Sequence, residues 1–172
     1  MTGVVVVMGV TSTGKTTIGE RLAAHLGARF AEGDSYHPKA NVAKMRAGTP
    51  LNDEDRWPWL QAIAADMRKW MESGTPAVVA CSALKQAYRD ILRGADPGVR
   101  FVHLEGDPMV LRQRIEQRSG HYMPPTLLPS QLATLEDPST EPDVVTVGVG
   151  GTPDEIFAEV LEKLGSLEHR AR

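Results

Sequence analysis

Lys15 and Thr16 close the octapeptide Gly9-Val10-Thr11-Ser12-Thr13-Gly14-Lys15-Thr16, which fits G-x-x-x-x-G-K-[ST] at every fixed position. That spacing suits one task, holding a chain of phosphates. Several backbone N–H groups must point inward at the oxygens, so the loop must curl tightly, and Gly9 and Gly14 permit the curl and the close approach. A helix opening at Lys15 aims its positive end at the anion. Lys15 is then placed to bridge the outer phosphates, and the Thr16 hydroxyl to ligate Mg²⁺. Gly9, Thr11, Ser12, Thr13, Gly14, Lys15, Thr16 and the following Thr17 form the candidate nucleotide site, with ATP and Mg²⁺ as its occupants. A chance glycine-lysine turn is the bland alternative. A hydrophobic strand just before and an amphipathic helix just after speak against it.

The elements that must position this loop follow from periodicity. Val4 to Met8 is a continuous, mostly β-branched run, as expected of a strand buried on both faces. Ile18, Leu22 and Leu26 repeat at helical spacing from about Lys15 to Leu26, and Gly27 supplies the stop. Ala28 to Ala31 reads as a second strand ending in Glu32-Gly33-Asp34. Lys39 to Ala47 reads as a polar helix. A longer helix is expected to start near Pro58, with Leu60, Ile63, Ala64, Met67, Trp70 and Met71 on its apolar face and Ser73-Gly74 at its end. Further strands are expected at Ala77–Cys81, Val99–Leu104 and Val144–Val149. Helices are expected at Lys85–Leu92, Pro108–Arg118 and Pro153–Leu164, the last opened by Thr152 with Glu155 three residues on. Strands alternating with helices argue for an α/β fold built on a parallel sheet. Ser119 to Asp143 breaks the rhythm, with five prolines and one short helical stretch around Ser130 to Glu136, and reads as a lid.

The bulk properties set limits. A chain of 172 residues suits one domain, and 41% hydrophobic with 24% charged residues is ordinary for a soluble globular protein. A net charge of −3 disfavours a general nucleic-acid binder. Val4 to Met8 is too short to span a membrane or serve as a signal core. Cys81, the one cysteine, cannot form an intrachain bridge. A soluble, cytoplasmic protein is expected. No N-K-x-D guanine-reading motif is present, and the third strand ends Ala80-Cys81-Ser82 without the acid of larger ATPases. The pattern points to a small-molecule kinase.

At Gly33-Asp34-Ser35-Tyr36-His37-Pro38 the pattern becomes specific. It continues through Asn41, Lys44-Met45, Gly48, Pro50-Leu51-Asn52-Asp53-Glu54-Asp55-Arg56 and Pro58-Trp59-Leu60. It runs on through Cys81-Ser82-Ala83-Leu84-Lys85, Tyr88-Arg89-Asp90 and Arg118-Ser119-Gly120-His121, and closes with Ser130-Gln131 and Leu135-Glu136. In these blocks, which span nearly the whole chain, the sequence resembles the gluconokinase family, the small P-loop type related to shikimate kinases. The resemblance implies a P-loop nucleoside-triphosphate hydrolase-like kinase fold, a five-stranded parallel sheet flanked by helices with a mobile lid. It also implies ATP-dependent 6-phosphorylation of gluconate, Mg²⁺, and a homodimer. Shikimate kinases carry Asp-x-Asp after the second strand. Here Asp34 is kept, while Glu32 replaces the first acid and is assigned no role by the resemblance.

Asp34 follows a parallel strand at its carboxyl end, where ligands of open sheets bind, and is the candidate base for the acceptor hydroxyl. Its bland reading is a helix cap. His37 is either an acceptor contact or a packing residue. Arg56 offers a two-pronged match to a carboxylate, and a cation beside a helix start otherwise lacks a reason. Ser82 and Lys85 follow the third strand on the ligand side, as acceptor contacts or as a cap and a surface lysine. Arg118 is similar to the lid arginine that folds over nucleotide in related kinases, with Arg112 and Arg114 as possible helpers. His121 and Gln131 are the other lid candidates. Arg89 is expected near the same edge, adding to the cations of Lys15, Arg56 and Lys85. The rival functions are another small-molecule kinase, such as a shikimate or nucleoside monophosphate kinase, and a nucleotide-binding regulator without metabolic activity.

Overall fold

The computed structural model describes residues 3–117 and 127–170. Five parallel strands form one sheet: β1 (Val4–Met8), β2 (Arg29–Glu32), β3 (Ala77–Ala80), β4 (Arg100–Glu105) and β5 (Val144–Gly148), in the order β2-β3-β1-β4-β5. The register places Val5 opposite both Val78 and Arg100, so β1 is the central strand. All five of its residues have zero exposure, as the unbroken apolar run requires.

The helices are α1 (Lys15–Leu26), α2 (Lys39–Arg46), α3 (Asp53–Glu72), α4 (Gln86–Arg93), α5 (Pro108–Glu116), α6 (Leu127–Thr134) and α7 (Pro153–Arg170). The core couples β1 to Ile18 and Leu22 of α1, to Leu60, Ile63 and Met67 of α3, and to Ile156 and Val160 of α7. Among the described residues no helix is long and apolar enough to cross a membrane.

Three expectations shift. First, α3 begins at Asp53, five residues before Pro58. Asn52 accepts the Asp55 N–H at 2.8 Å and Asp55 accepts the Asn52 N–H at 3.0 Å, a reciprocal cap that a proline at the first turn cannot match. Pro58 is tolerated inside the helix because it and Glu54, whose carbonyl it leaves unbonded, are exposed to water. Arg56 therefore lies within the helix, and Asp53, Glu54 and Asp55 in the first turn offset its charge against the dipole. Second, α7 runs past Leu164, since Leu167 continues the buried stripe at 7% exposure. The expected Thr152–Glu155 cap is present.

Third, the helix expected around Ser130 to Glu136 begins earlier. This helix, α6, starts at Leu127, and Leu127 and Leu128 are buried. The stretch after α6 is strapped to α4 by Arg89, which is fully buried. Arg89 grips both oxygens of Glu141 (2.9 and 2.6 Å) and donates to the carbonyls of Ala83, Leu84 and Glu136. Arg93 adds bonds to Glu141 and Asp143. Arg89 is thus a structural cation with its donors committed, which removes it from the set available to an acceptor.

Candidate active site

The carboxyl ends of β1, β2 and β3 open onto a cleft at the sheet's ligand edge, where open α/β sheets bind small molecules. Its floor is the loop between β1 and α1. Gly9 has φ 145° and a Cβ there would lie 2.6 Å from the Leu104 carbonyl, so only glycine fits. Gly14, at φ 91°, turns the chain into α1. Ser12 takes φ 68°, a left-handed conformation costly for a side-chain residue. The Gly9 N–H donates to the Ser82 carbonyl (3.2 Å), tying the loop to the end of β3. Thr13 is buried and its hydroxyl donates to the Val10 carbonyl at 3.0 Å, bracing the curl from within.

Lys15 folds over the loop and donates to the Val10 carbonyl at 2.9 Å. The Thr16 hydroxyl donates to the Glu32 carboxylate, and the other Glu32 oxygen accepts the Asp34 N–H at 3.3 Å. Glu32 thus links the hydroxyl expected to ligate Mg²⁺ to the turn carrying Asp34, a role that the sequence leaves open. A hydroxyl with one nearby carboxylate suits Mg²⁺, which takes few protein ligands and keeps phosphate and water as the rest. Among the described residues no group of three or more His, Cys, Asp or Glu could cage a metal by itself.

Facing the loop is a second wall. Gly33 lets β2 turn hard against β3, since a Cβ there would sit 2.3 Å from the Ala80 carbonyl. That turn sets Asp34 at the cleft, one-third exposed. His37 stacks on Trp59 (4.1 Å between centroids, 16° between planes), and its Nδ1 lies 3.2 Å from Asn41 Nδ2. Trp59 in turn donates its indole N–H to the Gly33 carbonyl at 2.8 Å. Burial lowers the His37 pKa to about 4, with Arg56 pushing the same way and Asp34 opposing. His37 is therefore neutral at neutral pH and acts as a hydrogen-bonding group.

Arg56 is 9% exposed, lines the cleft, and donates to the Tyr88 hydroxyl at 2.8 Å. Gln131 of α6 closes the cleft from above, its Oε1 accepting the Thr11 N–H at 2.7 Å. Leu127 packs with Met45 and Leu51, so α6 also rests on the second wall.

The cleft therefore gathers Thr11, Ser12, Gly14, Lys15, Thr16, Asp34, His37, Arg56, Ser82 and Gln131 around one space. Gly9 and Thr13 shape the loop beneath it, and the exposed Thr17 does not line it. Lys85 stands outside, paired with Asp53 at 2.9 Å in an adjoining groove that shares Arg56. Arg118 and His121 lie outside the described residues. Cys81 is buried and its thiol is pushed up to about 12 by burial, which suits a packing residue and not a nucleophile. Sequence reasoning missed Trp59 as the platform for His37, and Ala83, buried at φ 45° beside Ser82. Neither a helix tryptophan nor an alanine carries a signal for such a role.

Comparison with known proteins agrees with this geometry. The family model described as shikimate kinase matches residues 11–165. The gluconokinase of Gluconobacter oxydans is 48% identical over 156 residues, covering 91% of this chain and 88% of that protein. The crystal structure of a gluconokinase from Sinorhizobium meliloti superposes with a TM-score of 0.90 at 47% identity, over 99% of this chain and 95% of that one. A shikimate kinase from Aquifex aeolicus shares the fold alone, with a TM-score of 0.64 at 15% identity over 94% of this chain and 96% of that one. With a phosphate-gripping loop on one wall, Asp34 and Arg56 on the other, and these relatives matching over almost its whole length, the chain belongs to the gluconokinases, within the shikimate kinase family of P-loop kinases.

Proposed function

We propose that the protein transfers the terminal phosphoryl group of ATP to the 6-hydroxyl of D-gluconate. The observation that carries this reading is the opposition of two walls across one cleft. Lys15 and the loop amides form a phosphate grip, and Asp34, His37 and Arg56 face it as an acceptor site for a hydroxylated anion. ATP supplies the phosphoryl group, and the Thr16 hydroxyl, with Glu32 behind it, would hold Mg²⁺, which would supply neutralisation of the phosphate charge.

The chain's own groups do the positioning. Arg56 meets the acceptor carboxylate with its planar fork. Ser82, His37 and Gln131 orient the hydroxyls, with His121 as a further acceptor contact, while Lys85, paired with Asp53 in the adjoining groove, acts from outside the cleft. Asp34 takes the proton of the attacking hydroxyl as it adds to phosphorus in line with the leaving oxygen. Lys15, and Arg118 from the lid, offset the phosphate charge. Closure of the lid excludes water, which suppresses loss of the phosphoryl group to hydrolysis. A homodimer belongs to the same reading and rests on the resemblance to the family, and a cytoplasmic setting rests on the short apolar run Val4 to Met8 and the single cysteine.

The test is an ATP-coupled assay across gluconate, shikimate, glucose and nucleoside monophosphates, with mass detection and positional assignment of the product. Gluconate is expected to be the preferred acceptor, phosphorylated at the 6-position. Preference for shikimate or a nucleotide would replace this reading.

A further inference from the structure

Asp53 and Arg56 lie three residues apart on α3, a spacing at which opposite charges normally pair directly. Here they are joined through a third residue. Arg56 Nη1 donates to the Tyr88 hydroxyl at 2.8 Å, and that hydroxyl donates to Asp53 Oδ1. The same Asp53 oxygen accepts from Lys85 Nζ at 2.9 Å. Tyr88 is 1% exposed, and its ring is held edge-on by Trp57 at 5.5 Å, so the hydroxyl has one place to be. Burial and the Asp53 carboxylate both raise the phenol pKa, which keeps the proton on the oxygen. A phenol has one proton to give, and it is given to Asp53; its lone pairs are left for Arg56.

We propose that Tyr88 is a positioning residue whose hydroxyl is a spacer, holding the Arg56 guanidinium off Asp53 and presenting it to the acceptor carboxylate. This rests on the reading that Arg56 meets that carboxylate. Without the hydroxyl, Asp53 is a ready internal anion for Arg56. The acceptor then competes with a carboxylate of the protein itself, and binding weakens while the phosphate side of the cleft is untouched.

Steady-state kinetics with gluconate and ATP on Tyr88→Phe, Asp53→Asn, the double variant and Arg56→Ala test the spacer. Tyr88→Phe keeps the ring and so the packing. It is expected to raise KM for gluconate roughly tenfold, the scale of one hydrogen bond to a charged group, with kcat and the ATP KM within about twofold of wild type. Adding Asp53→Asn removes the competing anion and should bring the gluconate KM back to within about threefold of wild type. Asp53→Asn alone should leave it at or below the wild-type value. An unchanged gluconate KM in Tyr88→Phe, beside a raised one in Arg56→Ala, overturns the spacer and leaves the Arg56 reading intact. Failure of the double variant to recover, or an equal rise in Asp53→Asn alone, also overturns it, because a plain strut would behave that way. An unchanged gluconate KM in Arg56→Ala removes the carboxylate reading and the spacer together.

Discussion

Gln131 and Thr11 are 120 positions apart in sequence, yet the Gln131 side-chain oxygen accepts the Thr11 backbone N–H at 2.7 Å. This bond fastens helix α6 to the phosphate loop, and the packing of Leu127 on Met45 and Leu51 fastens the same helix to the acceptor wall. One helix therefore touches both halves of the cleft, as a closing element must if chemistry is to wait for both substrates.

Gln131→Ala should loosen that closure. One neutral hydrogen bond contributes about 0.5–1.5 kcal/mol, so kcat/KM for gluconate should fall roughly three- to tenfold. Hydrolysis of ATP without acceptor should change little or rise, since water is less well excluded. Parallel acceptor-dependent and acceptor-independent rates check this. Wild-type kinetics in the variant would show that the contact is incidental.

Asp34→Asn keeps size and hydrogen bonding but removes the carboxylate proposed as the base. A general base contributes about 10²–10⁴ in rate, and kcat should drop by that order. Nucleotide affinity should persist, because the phosphates are proposed to rest on the loop and Lys15, and Asp34 is tied to the loop side through Glu32. Titration with an inert ATP analogue, beside single-turnover rates, separates the two. Collapse of nucleotide affinity with a high residual rate would instead make Asp34 part of the metal site.

Much of this was legible in the sequence, because the signals were local. The glycine-framed loop, the apolar run Val4–Met8 and the helical stripe of α1 each stand in one short window, and the elements fall where those windows place them. What escaped depends on distant partners. Arg89 reads as one more cation beside the site, and only the fold reveals Glu141, 52 positions on, as its counter-ion. Lys85 reads as a site lysine until Asp53, 32 positions back, takes its ammonium. The start of α3 departs from expectation for a different reason: Pro58 is the louder signal, while the Asn52–Asp55 cap that sets the boundary is made of ordinary polar residues.

His37 should leave a pH signature on stability. Its folded pKa of about 4 lies below the usual value near 6.5, so between those values the unfolded chain binds more protons. The contribution is complete above pH 6.5 and is lost as pH falls toward 4, by at most roughly 3 kcal/mol. His103, buried in β4 and also lowered by burial, acts with the same sign. Urea unfolding from pH 4 to 7 should show His37→Phe, which keeps a ring against Trp59, with a shallower rise than wild type. Equal slopes would mean that His37 is not held neutral.

Glu141 should show the opposite kind of titrating group. Burial opposes its charge, but hydrogen bonds from Arg89 and Arg93 win and hold its pKa below the ordinary carboxylate value. Its stabilisation is full above about pH 4.5 and is lost as pH falls through the depressed folded value. Glu141→Gln leaves Arg89 buried without a counter-ion, which costs about 3–5 kcal/mol at neutral pH. The deficit should shrink in acid, where wild type loses the same charge. Denaturant titrations at pH 7 and near pH 3 measure it. A deficit that is small at pH 7 would mean that the carbonyl bonds alone hold Arg89.

Acceptor choice should follow from Arg56. Its guanidinium is 9% exposed and lines the cleft, while the other acceptor-side cation of the sequence, Lys85, is paired with Asp53 outside it. A cation buried against a neutral ligand lacks its anion, and sites built around a polar partner can reject analogues lacking that partner by roughly 10⁴–10⁵. Glucose presents hydroxyls like those of gluconate but no carboxylate, so its kcat/KM should be lower by several orders of magnitude. Arg56→Ala should narrow that gap, chiefly by lowering kcat/KM for gluconate, because glucose gains nothing from the guanidinium to lose. Lys85→Ala should narrow it less, since Lys85 acts on the cleft only through Asp53 and Tyr88. The measurement is kcat/KM for both acceptors in wild type and in each variant. Comparable wild-type values would end the case for carboxylate recognition, and a larger effect from Lys85→Ala than from Arg56→Ala would move the carboxylate to the adjoining groove.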